Sequence, residues 1–114
     1  MSALDSRTMA EGWQDGDYWG RLVESCAGAH LFNTSLGTSI ELTYWREGNQ
    51  EVDFILRLSK TTVAIEVKSG RRPQSLPGME AFDRRFKPKR KLLVGGQGLS
   101  WEDFLIHPAA YWLQ

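Results

Sequence analysis

Residues 51–68 read EVDFILRLSKTTVAIEVK, two runs of alternating side chains separated by a short polar break. In the first run Val52, Phe54, Leu56 and Leu58 share one face, and Glu51, Asp53, Ile55 and Arg57 share the other. In the second, Val63, Ile65 and Val67 oppose Ala64, Glu66 and Lys68. Period-two patterning of this kind predicts strands over 51–58 and 62–68. The Ser59-Lys60-Thr61 connection is too short for anything but an antiparallel hairpin. Upstream, Ile40–Arg46 is rich in β-branched and aromatic residues, and Glu47-Gly48-Asn49-Gln50 supplies turn chemistry before the next strand. The expected unit is a three-stranded antiparallel meander.

Helical spacing flanks the meander on both sides. Trp19, Leu22, Val23, Cys26, Ala27 and His30 form an apolar stripe over 18–32, with Asp17 as the expected N-cap and Asn33 and Gly37 as the stop. Downstream, Ser69 and Gly70 end the third strand, and Pro73 and Pro77 lead into a helix over 76–86 with Met79, Phe82 and Phe86 on one face. Lys91–Val94 then reads as a fourth strand, reached through that helix as a parallel crossover. Gly95-Gly96-Gln97-Gly98 reads as a flexible exit, and Trp101, Phe104, Leu105, Tyr111, Trp112 and Leu113 as a short helix and tail packing back on the sheet. The fold class is α/β, with the order αβββαβ and a mixed four-stranded sheet flanked by helices. The domain is expected over 17–114, behind a flexible arm at 1–16.

At 114 residues, 41% of them hydrophobic, the chain suits one core, and 25% charged residues at zero net charge argue against disorder. No apolar run is long enough to span a membrane, and the polar start is unlike a signal peptide. The lone Cys26 excludes an internal disulfide and a cysteine-built zinc site, so a reducing, cytoplasmic compartment is expected. The zero net charge hides a basic block. Arg71, Arg72, Arg84, Arg85, Lys87, Lys89, Arg90 and Lys91 face only Glu80 and Asp83 within residues 71–91, a local charge of +6. Such a block can neutralise phosphates, which points to nucleic acid; it also suits a solvated helix end.

Asp53 lies mid-strand, and Glu66 and Lys68 lie two apart on the next strand, hence on one face. If Asp53 shares that face, two carboxylates meet as cross-strand neighbours and repel unless a proton or a cation lies between them. Mg²⁺, or Mn²⁺, suits the pair, because it takes one or two protein carboxylates and completes its shell with water and phosphate oxygens. Zinc does not fit, since His30 and His107 are far apart in sequence. A lysine beside such a pair can orient the attacking water and offset charge on a phosphoryl oxygen.

Asp53, twelve intervening residues, then Glu66-Val67-Lys68, on the second and third strands of an αβββαβ unit, resembles the PD-(D/E)xK nuclease superfamily. The resemblance implies a restriction-endonuclease-like core in which Asp53 and Glu66 ligate the metal, Val67 lends its backbone carbonyl, and Lys68 serves the nucleophile. It also implies a contribution from Glu24 on the first helix. Gln50-Glu51-Val52-Asp53 stands in place of the proline-aspartate of the name. A narrower similarity covers residues 18–114. Tyr18-Trp19-Gly20-Arg21-Leu22-Val23-Glu24, Tyr44-Trp45-Arg46, Glu51-Val52-Asp53-Phe54, Ile65-Glu66-Val67-Lys68-Ser69 and Trp101-Glu102-Asp103-Phe104-Leu105 are similar to the uncharacterised domain that closes a family of prokaryotic AAA+ ATPases. It implies an ATPase module as a partner, in trans or on a longer chain, since the sequence has no GxxxxGK[ST] phosphate loop.

Three functions follow as expectations. The first is a Mg²⁺-dependent nuclease, with DNA favoured over RNA. The second is a non-catalytic nucleic-acid or partner-binding module that keeps the fold as the tail of an ATPase, docking through a Trp-rich end. The third is a small interaction domain that forms a homodimer through exposed aromatics. Plainer roles stand beside the functional ones: Glu51 as a solvated strand start, Trp45 and Arg46 as cross-strand packing rather than base stacking, and His30 as a half-buried packing residue. Cys26 is expected to act as a small hydrophobe, and Gln74 as a substrate contact.

Overall fold

Two tight turns fold residues 41–67 into the expected meander. The structure, a computed structural model, describes residues 16–68 and 76–114. The arm at 1–15, Arg71, Arg72 and Gln74 lie outside the described residues. The elements are α1 (Gly16–Ser35), β1 (Glu41–Glu47), β2 (Gln50–Leu58), β3 (Thr61–Val67), α2 (Pro77–Phe86), β4 (Arg90–Val94), α3 (Trp101–Leu105) and α4 (Ala109–Trp112). The strands lie in the order β1-β2-β3-β4, antiparallel through β3, with β4 parallel to β3. The fold is α/β with a mixed four-stranded sheet flanked by helices, as the alternation implies.

The sheet separates two cores. On one face Ala27 and Leu31 of α1 pack with Leu56, Val63, Ile65, Val67 and Val94 and with Phe104, Trp112 and Leu113 of the tail. On the other, Met79 and Phe82 of α2 cover Val52, Ile55 and Ala64. Burying each such side chain contributes about 1.5–3 kcal/mol. The α1 stripe differs from its expected form: Ala27 and Leu31 are fully buried, while Cys26 is exposed and is no core residue. Leu31 is the turn of the helix that reaches deepest, one turn beyond Ala27.

The faces of β2 carry a further correction. Thr43 pairs with Ile55 and Trp45 with Val52, so two steps on β1 answer three on β2. This β-bulge adds a residue and shifts the alternation. Val52 therefore joins Ile55 in the α2 core, whereas Phe54 and Leu56 pack toward α1. Asp53 falls at the shift, between Val52 on the α2 side and Phe54 on the α1 side.

The chain end is ordered by specific bonds. Gly95 and Gly96 adopt left-handed backbone, Leu99 N donates to Leu93 O (2.7 Å), and Gly98 N donates to Gly95 O (2.9 Å), making a closed turn where the sequence suggests a loose exit. Phe104 is fully buried, 5.9 Å from the Trp101 ring and 6.1 Å from that of Trp112. Trp112 is only 5% exposed and belongs to the core, while Trp101 is half-buried beside it and Leu105, Ile106 and Tyr111 stay exposed.

α2 begins with Pro77 in its first turn and stops at Lys87, whose left-handed backbone brings its N–H to Asp83 O (2.9 Å) ahead of Pro88. Its first turn rests on the β2 backbone: a Cβ at Gly78 would collide with the carbonyl of Glu51. Gly78→Ala is expected to cost about 1–3 kcal/mol, the usual penalty for overpacking a rigid contact, read as a lower urea midpoint. An unchanged midpoint would mean that α2 is not seated there.

Candidate functional site

Beyond the pair Phe54↔Ile65 the β2–β3 ladder is no longer paired. In its place two carboxylates reach across the gap to the opposite backbone. Val67 N donates to Asp53 Oδ2 (2.8 Å), and Asp53 N donates to Glu66 Oε1 (3.2 Å). The bulge is what makes this exchange possible, because it turns Asp53 out of the ladder and toward β3. Lys68 Nζ lies 3.6 Å from Glu66 Oε2. The three residues singled out from the sequence are thus brought together where the ladder opens.

The electrostatics of the pair are unfavourable. Glu66 has a side chain only 12% exposed. Its burial first, and the neighbouring Asp53 charge second, push its carboxyl from the ordinary 4.5 up to about 7. The hydrogen bond from Asp53 N and the Lys68 ammonium act in the opposite direction and do not offset this. The ion pair is long, and Lys68 is a third exposed, which weakens it. Asp53 is also raised, mainly by burial, against the hydrogen bond from Val67 and the charge of Lys68. Desolvation wins at both carboxylates.

Glu24 on α1 approaches this site without touching it. It is exposed, and no hydrogen bond or ion pair joins it to the others among the described residues. Partial desolvation, then the charges of Asp53 and Glu51, hold its carboxyl above the usual range, while Lys68 pulls it down. Glu51 is exposed and lies 3.8 Å from Arg46, the solvated strand-start role expected of it. Beside Glu66 and Lys68 opens a shallow pocket of about 210 Å³, bordered by Gln50, Leu76 and the start of α2 at Pro77 and Gly78. The positive end of that helix dipole favours an anion there.

The described part of the basic block, residues 84–91, is not at this site. Lys89 N donates to Thr62 O, and Arg90 pairs with Val63, so this part lies at the far end of β3 from Glu66. Four residues of strand, roughly 13 Å, separate Thr62 from Glu66. Part of its charge is spent: Lys91 pairs with Asp83 (3.0 Å), Arg85 pairs with Glu47, and Arg90 donates to the carbonyl of Gln114. Arg84, Lys87 and Lys89 are exposed and have no ion-pair partner among the described residues.

The two histidines, distant in sequence, are neighbours in the fold. His30, half-buried as expected, donates from Nε2 to the carbonyl of His107 (2.7 Å), and His107 donates from Nδ1 to that of Asp103 (2.8 Å). Each ring spends a nitrogen on backbone, so they fasten the tail to α1. Trp45 packs across the strands with Val52 and Ile55, as expected, and also meets Phe82 of α2 edge-on at 5.5 Å.

The raised carboxylates give a pH signature. An acid whose folded pKa lies above its unfolded one holds its proton more tightly when folded, so its charge costs stability as pH rises from 4.5 to about 7. Glu66→Gln keeps an acceptor for Asp53 N and removes that charge. It is expected to flatten the decline of Tm over this range and to raise Tm at pH 8 by roughly 5 °C, the shift that ~1 kcal/mol makes in a chain of this size. A variant that follows the wild-type pH curve would show that Glu66 is not the desolvated group.

No curated protein and no solved structure matches the chain. A family model does match it over residues 19–107, from α1 through the end of α3 and so across the whole sheet and both carboxylates. On that extent, this protein belongs to the family described as a domain of unknown function (DUF4143).

Proposed function

We propose that the domain hydrolyses phosphodiester bonds of nucleic acid, with DNA favoured, using a divalent cation held by Asp53 and Glu66. The observation that carries this reading is the pair of desolvated carboxylates fixed at the opening of β2 and β3, with the Lys68 ammonium 3.6 Å from one of them. Groups with perturbed titration cluster at functional sites, where burial and neighbouring charge tune them.

The residues fit Mg²⁺ or Mn²⁺. Each carboxylate spends one oxygen on a backbone N–H, which leaves Asp53 Oδ1 and Glu66 Oε2 as donors. Among the described residues no three Asp, Glu, His or Cys side chains stand close enough to hold a metal ion by themselves. Two carboxylates with water and phosphate oxygens are a set that magnesium accepts; Val67 would add its carbonyl and Glu24 would face the site from α1. When bound, such an ion supplies charge neutralisation and Lewis-acid polarisation of the phosphate. Lys68 orients the attacking water and offsets negative charge on the phosphoryl oxygen, while the positive end of α2 favours the anionic backbone at the same pocket.

A second reading has its own observation. The two carboxylates already satisfy backbone N–H groups, so they also serve as a clasp that replaces missing ladder bonds. On that reading the domain binds nucleic acid or a partner without cutting, as the accessory tail of an AAA+ ATPase.

Supercoiled plasmid separates the two. With Mn²⁺ or Mg²⁺ the protein is expected to nick it, and Asp53→Asn, Glu66→Gln and Lys68→Ala should each lower the rate by about 100-fold or more. Mn²⁺ should also raise the Tm of the wild type and leave that of the doubly substituted Asp53→Asn, Glu66→Gln protein unchanged. Nicking that persists in both Asp53→Asn and Lys68→Ala would end the hydrolytic reading.

A further inference from the structure

At the other end of α2 the sheet carries an open groove of about 250 Å³, lined by Trp45, Ile55, Arg57, Thr62, Phe82 and Phe86. Its aromatic content is only partly spent on packing. Phe82 is buried, but Phe86 is 47% exposed and Trp45 is half-buried. The Trp45 and Phe86 rings stand nearly perpendicular, with centroids 6.2 Å apart. An exposed phenylalanine beside an accessible tryptophan is a poor surface for water alone.

The rim of the groove is cationic. Lys87 follows Phe86 directly, Lys89 N is bonded to the carbonyl of the lining residue Thr62, and both lysines lack an ion-pair partner among the described residues. The Arg85 guanidinium lies 5.3 Å from the centre of the Phe86 ring. Arg57 lines the floor and is paired with Glu41 at 3.3 Å, an exposed pair that contributes little and exchanges readily for a phosphate.

We infer that this groove is a stacking site for unpaired bases, and that the nucleic acid the domain takes is single-stranded. The exposed part of the Phe86 ring, which rests on Phe82 at 4.7 Å, and the half-buried Trp45, with free lysines nearby, match the alternation of base and phosphate along one strand. A duplex hides its base faces in its own stack and offers them nothing to meet. The groove lies one helix length, about 15 Å, from the carboxylates at the start of α2, so one strand following α2 passes both. The inference takes from the proposed function only the class of ligand, not the cation.

Fluorescence anisotropy with labelled oligothymidylate, with EDTA present, tests it on the full chain. The single strand is expected to bind more tightly than a duplex of equal length. Phe86→Leu, which keeps apolar contact but removes the π face, should weaken binding roughly tenfold. Lys87→Gln with Lys89→Gln should lower the slope of log affinity against log salt by about 1.4, the value for two phosphates on a single strand. Full affinity in folded Phe86→Leu, equal or tighter binding of duplex, or displacement by polyglutamate as effective as by oligothymidylate would each overturn the inference. Binding as described with no nicking under any cation would instead sink hydrolysis and leave the groove standing; nicking that Phe86→Leu and the lysine pair leave untouched would do the reverse. Oligouridylate in parallel distinguishes RNA from DNA as the source of the strand.

Discussion

The structure turns on one exchange of hydrogen bonds, Asp53 Oδ2 with Val67 N and Glu66 Oε1 with Asp53 N, at the point where two strands part. An unpaired strand end normally leaves its N–H groups to water. Here each strand lends the other a carboxylate, and both carboxylates lose part of their hydration in doing so. The arrangement is therefore self-satisfying in hydrogen bonds and unfavourable in charge. A group of this kind is poised to accept a proton or a cation.

α2 arranges the rest. Its first turn lies on the β2 backbone at Glu51, and its last turn brings Phe86 to Trp45. One end borders an acidic pocket with a lysine; the other ends in an aromatic groove with a basic rim. A single rigid helix thus fixes the separation between a charged site and a stacking site, and the crossover that carries it also fixes β4 against β3.

Much of this was legible in residues 51–68. The alternation of Val63, Ile65 and Val67 against Ala64, Glu66 and Lys68 appears unchanged in the cores, and the short connections dictated the meander. The bulge was not legible. It carries no glycine, and the run from Val52 to Ile55 alternates as well in a regular strand as in a bulged one, so only pairing with Thr43 and Trp45 reveals it. The hydrogen bonds that join Asp53 to Glu66 and Val67 could therefore not be read from the alternation alone. Cys26 and Leu31 show the same limit on α1: both suit an apolar stripe, and the tail helices, which no local signal positions, decide which is covered. The electrostatic approach of Glu24 came only through the family resemblance, since a glutamate on a helix edge has no distinguishing local signal.

The order of the strands also bears on how the chain assembles. β1, β2 and β3 close through hairpins of two residues, whereas Val63 and its parallel neighbour Arg90 lie twenty-seven positions apart, with α2 between them. The entropy of loop closure grows with the span enclosed, and nonlocal pairing delays folding. The carboxylate clasp joins the two strands that meet early and cheaply, so its charge repulsion is borne by the most locally wired part of the sheet. β4 joins the sheet only across the longer span that α2 bridges.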